Sequence, residues 1–132
     1  MPAPAPYLHL AGDARDALAF YQQVFGGETT VHSFADFGRD DGPEDHVAHG
    51  VLQGPVDLFA ADAGAGARPF AAQGLLFSLL GAAEPAVLHR WFNGLSEGGE
   101  VLDPLQLRDW GAHDGQVRDR YGLTWLIGYE GA

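Results

Sequence analysis

The chain has 132 residues, 46% of them hydrophobic, which suits one domain, 1–132, burying roughly two-thirds of the surface its unfolded form exposes. Its 18 acidic residues outnumber 7 basic ones, all arginine, and the formal net charge of -11 repels nucleic acid and anionic lipid while mildly favouring cationic ligands. With no cysteine there is no disulfide, thiolate nucleophile or thiolate metal site, so a metal would have to be held by histidine, carboxylate or backbone oxygen.

The opening segment MPAPAPYLHL has neither a basic start nor an apolar run of signal-peptide length. No stretch approaches the ~20 apolar residues of a membrane span, so a cytoplasmic protein without membrane contact is expected. Tyr7 to Gly12 reads as a first short strand. After it, Ala14, Ala17, Leu18, Tyr21, Val24 and Phe25 fall at helical spacing and form one apolar stripe. Asp13 is the natural N-cap, and Gly26 stops the helix. Three strand-like runs follow, at Thr29 to Phe34, His46 to Leu52 and Val56 to Asp62, with Ala35 to Asp45 as an interrupting polar loop. The small residues of Ala63 to Pro69 then read as a linker.

Beyond the linker the same order returns. Leu75 to Gly81 reads as a strand, and Val87, Leu88, Trp91 and Leu95 make a helix stripe that ends at Gly98 and Gly99. Three more runs follow, at Glu100 to Leu107, Ala112 to Arg118 and Leu123 to Tyr129. The segments ALAFYQQVFGGE and VLHRWFNGLSEGGE share an aromatic pair and a closing Gly-Gly-Glu. The fold class is therefore α+β: two β-α-β-β-β units, about 5–62 and 71–130, joined by a linker at 63–70. Gly54-Pro55 and Tyr121-Gly122 supply the last hairpin of each unit.

Phe20-Tyr21, Phe25-Gly26-Gly27-Glu28, Ala48-His49, Asp62, Trp91-Phe92, Trp110-Gly111 and Asp119-Arg120-Tyr121-Gly122, set in this paired order, resemble the vicinal oxygen chelate superfamily and its PhnB-like branch. Glyoxalase I and the fosfomycin- and bleomycin-resistance proteins belong to that superfamily. The resemblance implies a sheet-lined cup with helices outside and a homodimer as the common assembly. In catalytic relatives it implies a divalent metal held by His, Glu or Gln from the first and last strands of each unit. The matching positions here read Tyr7, Leu58, Leu76 and Leu126, with His9 next to Tyr7 on the same strand face. Three leucines offer a cation nothing in exchange for its hydration shell, so the usual metal site is expected to be absent.

Alternation along the last strand puts Leu123, Trp125 and Ile127 against the helix and Thr124, Leu126 and Gly128 in the cup. On the first strand the same rule sends Leu8 and Leu10 to the helix, and Tyr7 and His9 to the cup. The expected ligand-binding set is thus Tyr7, His9, His49, Leu58, Leu76, Trp110 and Leu126, with Trp110 and phenylalanines such as Phe59, Phe70 and Phe77 available to stack a planar molecule. This points to a metal-independent small-molecule binding protein, one that sequesters an antibiotic or a hydrophobic metabolite. The alternative is a lyase, isomerase or dioxygenase with one divalent ion on His9 and His49, helped by Tyr7 or Asp62. The remaining histidines, His32, His46, His89 and His113, read as solvated surface or loop residues.

Overall fold

A computed structural model describes residues 4–64, 66 and 68–131. Ala65 and Ala67 of the expected linker, and the first three residues of the opening segment, lie outside them. The chain divides into two compact units, Met1–Phe70 and Ala71–Ala132, with the boundary at the end of the linker.

The first unit runs β1 (Tyr7–Leu10), α1 (Ala14–Phe25), β2 (Glu28–Ser33), a short 3-10 turn at Ala35–Phe37, β3 (Val47–Gln53) and β4 (Leu58–Asp62). Its sheet has the order β1-β4-β3-β2, with β1 parallel to β4 and the other pairs antiparallel. The second unit runs β5 (Leu76–Leu80), α2 (Pro85–Ser96), β6 (Glu100–Leu107), β7 (His113–Arg118) and β8 (Thr124–Tyr129). Its sheet order, β5-β8-β7-β6, repeats the first, again with a parallel pair, β5 and β8. The α+β repeat of β-α-β-β-β units is therefore the architecture of the chain.

Each helix buries most of its expected stripe, with Val24 and Val87 only half-buried and Phe20 and Phe92 buried in addition. The buried residues of α1 are Ala14, Ala17, Leu18, Phe20, Tyr21 and Phe25, and those of α2 are Leu88, Trp91, Phe92 and Leu95. Gly50 lets α1 approach its sheet, since a Cβ there would collide with Leu18. Gly26, with φ 81°, closes α1 by donating its N–H to the Gln22 carbonyl.

The start of α1 departs from expectation. Asp13 occupies the N-cap position, but its side chain caps nothing. Asp62, from the end of β4, takes over: Oδ1 accepts the N–H groups of Gly12 (2.9 Å) and Ala14 (3.0 Å), and Oδ2 accepts that of Val47 (2.8 Å). A buried carboxylate is tolerated there because it holds three charge-assisted hydrogen bonds. In the second unit Asp119 does comparable work elsewhere, accepting from the backbone of Tyr121 and Leu123 and from Trp125 Nε1.

Candidate functional site

In each unit the helix covers one sheet face and leaves the other open. Register partners share a face, so the pairing assigns every strand residue. In the first unit Leu8 pairs with Ala60 and Leu52 with Leu58, all buried on the helix side. Tyr7 pairs with Phe59, Phe59 with Val51, Val51 with Thr30, and His49 with His32. These residues and His9 form the open face.

Tyr7 and His49, both expected in the site, are in contact there: Tyr7 Oη lies 2.9 Å from His49 Nδ1. Tyr7 stacks on Phe59 with ring centres 5.5 Å apart and planes 8° from parallel, and His49 tilts over the same Phe59 at 5.8 Å. His9 meets the edge of Tyr7 at 5.4 Å. Burial pushes the Tyr7 phenol pKa up, so the ring keeps its proton. When the Tyr7 O–H donates to Nδ1, the neutral His49 ring carries its hydrogen on Nε2. Beside this cluster lies a pocket of about 440 Å³ lined by His32, His49, Val51, Gln53, Asp57 and Phe59, among others.

Leu58 is a correction. It is wholly buried in the core on the helix side of β4, and its neighbour Phe59 faces the open side. Counting four residues from the turn glycine works in the second unit, where the first buried residue, Leu123, directly follows Gly122. In the first unit the first buried residue is Val56, two after Gly54, and this one-residue slip turns every later side chain to the other face. Asp62 also leaves the candidate set, since its carboxylate is committed to the start of α1 and β3.

In the second unit Leu76 and Leu126 do share the open face, two residues out of register: Leu76 pairs with Thr124, and Ser78 with Leu126. Phe77 points the other way and packs against buried Trp125. Trp110, 72% exposed, borders a separate pocket of about 390 Å³ with Leu80, His113, Asp114, Tyr129 and Glu130. Neither His89 nor His113 is a solvated surface group. His89 Nε2 lies 2.9 Å from Tyr129 Oη, and His113 begins β7 and stacks on Tyr129 at 4.6 Å. His32 is an open-face residue that strand reading passed over, and Phe59, expected only as a stacking ring, holds the open-face place expected of Leu58. The alternation of Thr30 and His32 along β2 was the available signal for His32.

The metal question can be put to the donors themselves. On the open sides of β1, β4, β5 and β8, the strands that hold the ion in catalytic relatives, His9 is the one imidazole and there is no carboxylate. Among the described residues no three His, Asp or Glu side chains gather so as to hold an ion. These donors do not fit a zinc-type site, which asks for three or more protein ligands, and those strands offer no open-face carboxylate for a harder ion.

Residues 6–127 match the model of the Glyoxalase/Bleomycin resistance protein/Dioxygenase superfamily. The chain belongs to this superfamily. Protein YjdN of Escherichia coli strain K12 is 26% identical over 93% of this chain and 92% of its own. Protein PA1353 from Pseudomonas aeruginosa is 31% identical with both chains fully covered, and its crystal structure superposes with a TM-score of 0.78. A PhnB protein from Bacillus cereus, 18% identical over 99% of this chain and 100% of its own, has the same fold with a TM-score of 0.76. Among the described residues no helix is long and apolar enough to cross a membrane.

Proposed function

We propose that the first unit binds a small planar molecule on its open sheet face without the help of a metal ion, and that the protein acts by sequestering it. The observation that carries this reading is the Tyr7–His49–Phe59 cluster beside the pocket of about 440 Å³. Stacked rings offer a flat apolar surface at low entropic cost, and His49, in the tautomer that accepts the Tyr7 O–H at Nδ1, supplies Nε2–H as one directed donor. A ligand that fits combines a flat ring system with a carbonyl-type acceptor. An antibiotic or a hydrophobic metabolite is the class this implies, by analogy with the superfamily.

The exposed Leu76, Leu80, Leu102 and Leu107 of the second unit support pairing of two chains as a homodimer, which would remove them from water. Sedimentation at micromolar concentration should return twice the chain mass; a monomer sinks that part of the proposal.

Titration with chromone, a flat ring bearing one carbonyl, tests the binding reading. NMR signals of His49 and Phe59 should move saturably, and those of Phe59 should cease to do so in His49→Phe. Movement confined to other residues, or about one tightly held metal per chain after purification without an affinity tag, would favour a metal-dependent lyase, isomerase or dioxygenase instead.

A further inference from the structure

The pocket of the second unit has a different and one-sided chemistry. His113 Nδ1 lies 2.9 Å from the Gly131 carbonyl oxygen. A carbonyl only accepts, so Nδ1 carries the hydrogen and the neutral ring offers Nε2 as an acceptor. Tyr129 lies parallel to His113, 13° between planes, and its hydroxyl is held by His89 Nε2 at 2.9 Å, so the two rings form a fixed wall. Asp114 lines the same pocket with one carboxylate oxygen on Arg108 Nε at 2.8 Å. Glu130 is exposed and has no ion-pair or hydrogen-bond partner among the described residues. Trp110 completes the lining, its indole left in water although a short turn from β6 to β7 presents it beside the pocket.

We propose that this pocket is a second ligand site, specific for a flat organic cation with N–H donors, of the aryl amidine or aryl guanidine class. The faces of Trp110 and Tyr129 attract a cationic plane, and the Glu130 carboxylate and His113 Nε2 accept its N–H groups. The two carboxylates repel anions. The chain's net charge of -11 draws cations toward the site before contact. The site shares no residue with the first-unit pocket, so the two are separable by mutation.

Benzamidine and benzamide have nearly the same shape and differ in charge, which makes them the probe and its control. Titrated into the full chain, benzamidine should move the NMR signals of His113, Gly131 and the Trp110 indole N–H saturably, with benzamide about tenfold weaker or more. Trp110→Ala and Glu130→Gln alter exposed side chains, so the fold should persist in both, and each should weaken benzamidine several-fold while leaving the His49 signals unchanged. Equal affinity for benzamide, no saturable shift at His113, or benzamidine binding indifferent to both substitutions would overturn the proposal.

Discussion

The two units have the same element order, the same sheet order and helices of equal length, yet their open faces have little in common. The first carries Tyr7, Phe59, His9, His32 and His49. The second carries leucines between ion pairs, with Arg118 on Glu100 at 3.5 Å and Arg108 clasped by Asp103 at 2.7 Å and Asp114 at 2.8 Å. The helix-facing sides stay alike because interiors are close-packed and tolerate little change in volume. The open sides answer to no such constraint, so one fold supports two chemistries.

The largest effects should come from what the units do alike. Each has one buried carboxylate satisfying three N–H donors, so Asp62→Ala and Asp119→Ala should each cost about 3–5 kcal/mol in a urea melt by leaving those donors unpaired. A loss below about 1 kcal/mol at either site would show that water replaces the carboxylate there.

Next comes the contrast between faces. Leu8→Ala and Leu58→Ala empty core volume and should cost about 2–5 kcal/mol, while His9→Ala and Leu126→Ala, on the open sides, should cost about 1 kcal/mol or less. Equal damage from Leu126→Ala and Leu58→Ala would erase the distinction between the faces.

A smaller effect separates the units by pH. The Tyr7 pKa is raised in the fold by burial, so the unfolded chain loses this proton first. The stability contributed by the neutral phenol is complete below the unfolded value of about 10 and is lost as pH rises through the folded one. Tyr7→Phe should therefore flatten the decline in melting temperature above about pH 10, and an unchanged decline would assign it to other groups.

The smallest belongs to Asp36. Its carboxyl is held below the usual range by hydrogen bonds from the Ser33 backbone and side chain, so its contribution is present above the unfolded pKa and fades as pH falls through the lower folded one. Asp36→Asn should lose only that acid-side dependence, read from melts below pH 4; a neutral-pH loss comparable to Leu58→Ala would contradict it.

Most of the fold could be read from the chain because it rests on local periodicity. Helix stripes, glycine stops and strand alternation are visible in short windows, and the faces of β1 and β8 followed from parity. Failure came where geometry depends on a turn. Nothing local in Gly54-Pro55-Val56 announces the residue that shifts Leu58 inward and Phe59 outward. Pairing across strands was equally hidden: His32 meets His49, and His113 meets Tyr129, only through register. Asp13 misled for the opposite reason, because a good local cap was present and a distant carboxylate displaced it.

That distant carboxylate also sets an order of events in folding. The first turn of α1 gains its cap only when Asp62 arrives from the far end of the unit, 48 residues beyond Ala14. A 12-residue helix is marginal on its own in water. The loop-closure entropy must therefore be met before the helix is secure, which ties α1 to β4 in one cooperative step and gives the first unit a high contact order. Removing the Asp62 carboxylate should free α1 to fray ahead of global unfolding, visible as early hydrogen exchange confined to the first turn of α1.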